Sequence, residues 1–210
     1  AGVTIADLAT LVDAVGVMPP LLTWLCEWLT ARGLLDELEE STGRISELVS
    51  AIKSYTYMDQ GTWQDVNIHR DLDNTLLVLK HKLKAITVTR QYSADLPPIL
   101  ARGGELNQVW TNLIDNAIDA LGASGTLTVL TRFENEFVMV EITDNGPGIP
   151  AHVLPRIFEP FFTTKAVGKG TGLGLDTTYR IVQQHHGTIE VHSKPGETRF
   201  IVRLPIRRTN

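Results

Sequence analysis

Four short blocks in the second half of the chain constrain its fold more than any other feature. In chain order they are Asn112-Leu-Ile-Asp-Asn116-Ala, Asp144-Asn-Gly146-Pro-Gly148, Phe158-Glu-Pro-Phe-Phe-Thr-Thr-Lys165 and Gly168-Lys-Gly170-Thr-Gly172-Leu-Gly174-Leu. Each block alone is weak evidence, because short glycine-rich or asparagine-rich runs occur by chance. Their succession indicates a nucleotide site that one domain assembles from separate segments.

The hydrophobic pattern around these blocks alternates between helical and strand periodicity. We predict helices at 68–82, 105–121 and 173–186, strands at 85–92, 125–132, 137–143, 188–193 and 198–204, and a lid at 145–170. Apolar branched runs such as Val138-Met-Val140-Glu-Ile142 are typical of sheet strands. Helices interspersed with hairpin-like strand pairs predict an α/β two-layer sandwich, in which a mixed sheet packs on helices.

The first sixty residues predict a small all-helical region ahead of that sandwich. Two short helices, at about 5–15 and 20–32, are separated near Gly16 and Pro19-Pro20. A longer helix at 34–58 has a heptad seam of Leu35, Leu38, Thr42, Ile45, Val49 and Ile52. The chain is therefore divided into 1–33 (an insertion or linker), 34–60 (a dimerisation-type helix) and 61–210. Because the seam needs a partner helix, we expect a homodimer through 34–58.

Composition excludes several classes of partner. The net charge of -5 over 210 residues argues against nucleic-acid binding, which needs a basic face. No apolar run reaches the roughly 18 residues that a membrane span requires. The only cysteine, Cys26, cannot form an intrachain disulfide. This fits a reducing compartment, and we expect a cytoplasmic location.

The first two blocks carry polar groups suited to a nucleotide. Asn112 and Asn116 lie one helical turn apart on one face, and an amide oxygen is a suitable ligand for Mg²⁺. Asp144 ends a predicted strand, where its carboxylate can accept the exocyclic amine of adenine and reject the carbonyl of guanine. Each block also has a non-functional interpretation. The two asparagines could simply face solvent, and the aspartate could belong to a simple turn.

The last two blocks suit a mobile cover and a phosphate cradle. Phenylalanines at 158–162 can anchor one end of a lid, and Lys165 and Lys169 can meet phosphate charge, although ordinary core packing explains the phenylalanines equally. Glycines at 170, 172 and 174 precede a helix, where backbone N–H groups favour anions. The block lacks the Gly-Lys-Ser/Thr ending of a P-loop and the context of dinucleotide folds.

Together the blocks resemble the N, G1, F and G2 boxes of the GHKL ATPase superfamily, from about Val66 to Pro205. The chain is most similar to bacterial sensor histidine kinases, and Phe161-Phe-Thr-Thr-Lys165 with Asn116-Ala-Ile-Asp-Ala120 suggests their nitrogen-regulator-like branch. The resemblance implies catalytic roles for Asn112, Asn116 and Lys165, with Asn116 as the Mg²⁺ ligand. It implies that ATP contacts Asn112, Asn116, Asp144, Gly146, Gly148, Ile149, Phe162, Lys165, Gly170, Thr171, Gly172, Leu173, Gly174, Leu175 and Thr198. Thr198 matches the position that supports the adenine acceptor.

The resemblance also implies a reaction. The γ-phosphate of ATP would pass to a histidine on a dimerisation helix and then to the receiver domain of a response regulator. Hydrolytic relatives place a glutamate base where this chain has Asn112, and an amide cannot take a proton from water. None of the six histidines, including His69, has the sequence context of the acceptor. We expect the acceptor upstream of Ala1, or otherwise on another protein.

Two other functions remain open. An anti-sigma-factor-like serine kinase shares this ATP fold, although it does not need the heptad helix. A nucleotide-gated interaction module would bind ATP and signal by shape without phosphotransfer. Simple ATP hydrolysis is the least favoured activity, because of Asn112.

Overall fold

The computed structural model describes residues 23–36, 38, 42, 62–165 and 170–207. The chain divides into two compact units, Ala1–Ser50 and Ala51–Asn210. The predicted helix at 5–15 and the seam positions Ile45, Val49 and Ile52 lie outside the described residues. The division into 1–33, 34–60 and 61–210 stays a prediction.

In the first unit, residues 23–36 form one continuous helix, and residues 38 and 42 are also helical. The prediction that one helix ends at 32 and another begins at 34 is therefore wrong. One glycine costs a helix only about 1 kcal/mol relative to alanine, and the residues around it favour helix. None of the helices in the described part of the chain is long and apolar enough to cross a bilayer.

The second unit is a five-stranded sheet with helices against it. The elements are β1 Gln64–Val66, α1 Ile68–Val78, β2 Ile86–Gln91, β3 Ile99–Ala101, α2 Gly103–Leu121, β4 Gly125–Glu134, β5 Phe137–Asp144, α3 Gly174–Gln184, β6 Thr188–Lys194 and β7 Glu197–Pro205. The strand order is β2-β4-β5-β7-β6, with β2 parallel to β4 and the other pairs antiparallel. The predicted α/β sandwich with a mixed sheet is confirmed.

Local sequence explains where these elements begin and turn. Asn67 caps α1, since its side-chain oxygen accepts the N–H of Arg70 at 3.1 Å. Helix α2 ends at Gly122, which has φ of 63°. Strands β6 and β7 are joined by Pro195-Gly196, and Gly196 has φ of 86°. Proline followed by a glycine with positive φ is typical of a tight type II turn.

Helix α2 is the centre of the core. Its Trp110, Leu113 and Ile114 are fully buried, as are Leu127 of β4 and Val140 of β5. Every second residue in the middle of β4 is buried, and burial along α2 recurs about every 3.6 residues. The buried face of the strand therefore packs against the buried face of the helix. Burying such side chains stabilises the fold by about 1.5–3 kcal/mol each. The polar residues of α2 and the aspartate that ends β5 are therefore positioned by the same core.

A small second sheet was not predicted. Strands β1 and β3 pair antiparallel, with Gln64 opposite Ala101. Both are only three residues long, and Pro97-Pro98 directly precedes β3, so neither has a strand-length pattern. The N–H of Leu100 also donates to the carbonyl of Ile206 at 3.0 Å, which ties this sheet to the end of β7.

A buried histidine closes the end of α3. His185 is 4% exposed. Its Nδ1 donates to the carbonyl of Ile181 at 2.8 Å, and its Nε2 accepts the N–H of Arg102 at 3.1 Å. A protonated imidazole would lose the second bond, because both of its nitrogens carry hydrogen. Burial lowers the pKa of His185, although the carbonyl of Ile181 and the nearby Glu105 oppose this effect.

We predict that His185 makes the domain less stable in acid. A folded-state pKa below the unfolded value gives a contribution that is present at neutral pH and is lost as pH falls. His185→Gln should lower the free energy of unfolding at neutral pH by roughly 1–3 kcal/mol and flatten its decline towards about pH 5. Urea titrations across that range measure both effects. The exposed His186→Gln is the control, and an equal decline in His185→Gln and the wild type would contradict the prediction.

Candidate functional site

Four residues line up across the sheet at the end of β5. Leu127 lies opposite Asp144, Asp144 opposite Thr198, and Thr198 opposite Ser193. Directly opposed residues of antiparallel strands present their side chains on the same face. The register therefore places a carboxylate and two hydroxyls side by side.

Asp144 is the buried charge of this row, with only 3% of its surface exposed. One carboxylate oxygen, Oδ1, accepts the N–H of Gly146 at 2.9 Å. Burial raises the pKa of Asp144, and the bond from Gly146 partly opposes the shift. A methyl group on Gly146 would lie 2.7 Å from that oxygen. Glycine is required here because the backbone passes directly over the carboxylate.

The segment 145–149, here called the base loop, is fastened to the β6–β7 turn. The N–H of Gly196 donates to the carbonyl of Gly146 at 3.0 Å, and the N–H of Ile149 donates to Oγ of Ser193 at 2.7 Å. Gly148 has φ of 84°, and a methyl group there would lie 2.5 Å from the carbonyl oxygen of Lys194. The position of the base loop is thus set by the hairpin beside Asp144.

Ser193 is a polar neighbour of this row that was not predicted from the sequence. Its Oγ lies 2.9 Å from Oγ1 of Thr198, which is 4% exposed. Thr198 was predicted to support the adenine acceptor, and the structure does place it beside Asp144. The Lys194-Pro195-Gly196-Glu197 turn was the available signal, since a two-residue turn after Lys194 puts Ser193 opposite Thr198.

Asn112 joins α2 to the start of α3. Its Nδ2 donates to the carbonyl of Gly174 at 2.9 Å and to Oγ1 of Thr178 at 3.3 Å. A methyl group on Gly174 would lie 3.7 Å from Oδ1 of Asn112, an ordinary contact. The asparagine block and the last glycine of the fourth block are therefore in contact, and the amide nitrogen of Asn112 makes the connection.

Asn116, one turn further along α2, faces the end of the phenylalanine block. Its Oδ1 accepts Nζ of Lys165 at 3.3 Å, and the same ammonium forms an ion pair with Asp119. Asp119 was also missed in the sequence, although its spacing of three from Asn116 puts both on one face. The amide oxygen of Asn116 already accepts a hydrogen bond from an ammonium group and lies next to the carboxylate of Asp119. These oxygens therefore form a ligand set that suits a cation.

The glycine block approaches the phenylalanine block closely. Gly172 has φ of 67°, and a methyl group there would lie 2.4 Å from the carbonyl carbon of Phe161. A methyl group on Gly170 would lie 2.8 Å from Oγ1 of Thr163. Oγ1 of Thr171 accepts the N–H of Leu173, the residue before α3, at 3.4 Å. Residues 166–169, including Lys169, lie outside the described residues.

Two further predicted contacts, Phe162 and Leu175, are partly buried and pack against the core. The guanidinium of Arg156 lies 4.4 Å from the centre of the Phe162 ring. These packing contacts agree with the expected anchor of a lid, while closure of that lid stays a prediction. His69, in contrast, stacks on Tyr92 at 4.4 Å and hydrogen-bonds Thr131, which is a packing role on another part of the sheet.

Helix α2 brings the two groups of residues together. Asn112 and Asn116 lie outside the face of this helix that is buried against the sheet. One turn beyond Asn116 is Ala120, and a methyl group on Gly146 would lie 3.3 Å from its Cβ. The base loop and the asparagines thus border one helix. A buried acceptor at one end and paired amides with a lysine at the other match the two ends of a nucleotide, a flat base and a charged phosphate chain.

Comparison with known proteins identifies the same kind of domain, a nucleotide-binding one. Residues 102–208 match the family described as Histidine kinase-, DNA gyrase B-, and HSP90-like ATPase. The chain is 33% identical over 187 residues to the sensory histidine kinase/phosphatase NtrB of Rhodobacter capsulatus, covering 82% of this chain and 52% of NtrB. It is 34% identical over 182 residues to the sensor histidine kinase ZraS of Escherichia coli K12, covering 85% of this chain and 39% of ZraS. It thus spans about half the length of these curated relatives, or less.

A solved structure shows a similar domain. The catalytic domain of histidine kinase ThkA, in a nucleotide-free form, superposes with a TM-score of 0.64 at 28% identity, covering 69% of this chain and 96% of that domain. The resemblance to the GHKL superfamily and to its nitrogen-regulator-like kinases is confirmed.

We predict that Gly148→Ala disturbs the base loop. Its positive φ and the 2.5 Å approach to Lys194 leave no room for a methyl group, so the unfolding free energy should fall by about 1–3 kcal/mol. Gly104→Ala is the matched control, because nothing lies within 4 Å of a methyl group there and alanine should stabilise α2 by up to about 1 kcal/mol. Urea denaturation distinguishes them, and equal effects would be inconsistent with this account.

Proposed function

Because this chain belongs to the Histidine kinase-, DNA gyrase B-, and HSP90-like ATPase family, we propose that it is the ATP-binding catalytic part of a two-component histidine kinase. It binds ATP between α2 and the base loop and presents the γ-phosphate to a histidine of a dimerisation helix. The observation that carries the proposal is the buried carboxylate of Asp144 at the end of β5, beneath a glycine loop.

Asp144 is the base-recognition group of this proposal. Its carboxylate accepts the exocyclic amine of adenine, and a hydrogen bond to a charged group contributes about 1.5–3 kcal/mol. The carbonyl of guanine at the same position would face another acceptor. Gly146 and Gly148 allow the base to approach the backbone, because neither glycine has a Cβ.

Asn116 and Lys165 form the phosphate end. Oδ1 of Asn116 already accepts an ammonium, which supports its role as a ligand for Mg²⁺. When bound there, Mg²⁺ would neutralise part of the phosphate charge. Lys165 then leaves Asn116 and Asp119 and pairs with phosphate oxygens, while the backbone N–H groups at the start of α3 face the same charge.

Asn112 favours transfer over hydrolysis. Its amide cannot remove a proton from water, and its Nδ2 is already used in holding Gly174. In the proposed reaction an imidazole nitrogen attacks the γ-phosphorus, the bond to the bridging oxygen breaks, and ADP leaves. Holding both reactants in line supplies most of the acceleration.

The acceptor and the partners are also part of the proposal. All six histidines lie at or after residue 69, beyond the 34–58 seam, so we place the acceptor on a helix outside this sequence. The phosphate then passes to the receiver domain of a response regulator, and the protein works as a homodimer in the cytoplasm. The alternatives, a serine kinase and a non-catalytic module, have no specific observation in their favour.

We predict that Asp144→Asn selectively weakens adenine nucleotide binding. The amide keeps the volume but removes the charge, so ADP affinity should fall about tenfold to a hundredfold. Calorimetry with Mg²⁺ and ADP measures the change. Asp115→Asn, which removes a carboxylate on α2 that pairs with Lys82, is the control. Unchanged affinity in Asp144→Asn would remove the central observation.

We also predict phosphorylation on histidine when the chain is joined to its own dimerisation helices. Incubation with γ-labelled ATP should give protein-bound phosphate that is lost in acid and stable in alkali. Asn116→Ala should reduce the labelling about a hundredfold or more, because the proposed metal ligand is removed. Asn107→Ala, on the same helix but outside the proposed set, is the control. Acid-stable phosphate would point to a serine kinase, and ADP affinity without any labelling would point to the interaction module.

A further inference from the structure

The ammonium of Lys165 is held by two side chains of α2. Its Nζ donates to Oδ1 of Asn116 at 3.3 Å and forms an ion pair with the carboxylate of Asp119. Asn116 and Asp119 are three residues apart and therefore lie on one face of the helix. Asp119 is the stronger partner, because its carboxylate adds a full negative charge to the hydrogen bond, whereas Asn116 is neutral. In the proposed function Asn116 and Lys165 have roles, whereas Asp119 has none.

The backbone around Lys165 is packed in this arrangement. The N–H of Lys165 donates to Oγ1 of Thr163 at 3.1 Å. A methyl group on Gly170 would lie 2.8 Å from Oγ1 of Thr163 and 3.0 Å from Cδ of Lys165. The first glycine of the phosphate cradle therefore lies directly against the stem of the lysine while its ammonium is paired with Asp119.

Lys165 cannot keep both of its partners once a metal-bound nucleotide is present. A Mg²⁺ ion on Oδ1 of Asn116 would share that oxygen with the ammonium, and two cations on one amide oxygen repel each other. The phosphate chain also carries more negative charge than a single carboxylate. Nucleotide binding at this site therefore requires the ion pair between Lys165 and Asp119 to open.

The exposure of the ion pair indicates how much its opening costs. The side chains of Lys165 and Asp119 are 35% and 42% exposed, so water and salt screen their attraction. Ion pairs at such exposed positions contribute only modestly to stability. The cost to a nucleotide is therefore a few-fold in affinity, which the charge of its phosphates can offset.

We propose that Asp119 is a counter-ion that holds Lys165 in an autoinhibitory position beside Asn116, and that this contact lowers the affinity for nucleotide. The inference rests on the proposed function and deepens it, because it assigns a residue that regulates access to the same site. Asp119 is a positioning residue of the nucleotide-free state. It acts through Lys165 and not by contact with the nucleotide.

Calorimetry with Mg²⁺ and ADP on the full chain tests this proposal. Asp119→Asn keeps the size of the side chain and removes its charge, so ADP should bind about two- to fivefold more tightly than to the wild type. A variant that only disturbed the fold would bind ADP more weakly, which is a change of the opposite sign. Asp115→Asn, one turn earlier on α2, is the matched control for a lost negative charge and should change the affinity by less than about 1.5-fold.

A double-mutant cycle shows whether Asp119 acts through the lysine. Lys165→Met should weaken ADP binding, because the proposed partner of the phosphates is lost. In that background Asp119→Asn should change the ADP affinity no more than Asp115→Asn does, since no ammonium remains to be held. An equal gain with and without Lys165 would show that the charge of Asp119 acts on the nucleotide directly, and would overturn the proposal.

The failure of the inference can be told apart from the failure of the proposed function. If the wild type binds no ADP, the proposed function fails and the inference fails with it. If the wild type binds ADP and Asp119→Asn binds it equally well, the inference alone is overturned. Weaker binding by Asp119→Asn also overturns it, because Asp119 would then support the bound state.

Discussion

The buried carboxylate of Asp144 is the constraint on which the rest of the site depends. Removing a charge from water is costly unless polar groups or a ligand compensate it. In this structure the compensation comes from the N–H of Gly146, which requires the chain to turn back over β5 directly after the strand ends. The glycine at 146 follows from that requirement, whereas Gly148 is required by the close approach of the Lys194 backbone. The carboxylate is thereby held ready for a donor of matching geometry.

The rigidity of the site comes from α2. This helix buries Trp110, Leu113 and Ile114 against the sheet, and its opposite face carries Asn112 and Asn116. The same helix borders the base loop at Ala120. A nucleotide bound along it would therefore meet its base contacts and its phosphate contacts on one element whose position is fixed by core packing. Preorganisation of this kind reduces the ordering cost of binding.

Much of this arrangement could be predicted from the sequence, for definite reasons. The long elements α2, β4, β5 and β7 have clear periodicity, and the four blocks identify polar groups at their ends. What the sequence did not predict was set by pairing over distance. The short strands β1 and β3 have no pattern of their own, and Ser193 becomes informative only when the register places it opposite Thr198. The predicted end of one helix at 32 and start of another at 34 was wrong, because a single glycine costs little helix stability among helix-forming neighbours.

The contacts of Asn112 and Lys165 show how binding and transfer can be separated within one site. Asn112 uses its amide hydrogens to hold the start of α3, so in the proposed function it would act by fixing that helix rather than by moving protons. Lys165 pairs with Asn116 and Asp119, groups that a metal-bound phosphate chain would take from it. The lysine would then be released to the phosphate end. In such a site the charge of the nucleotide itself would drive the rearrangement, and Asn112 would offer no base to remove a proton from water before an acceptor arrives.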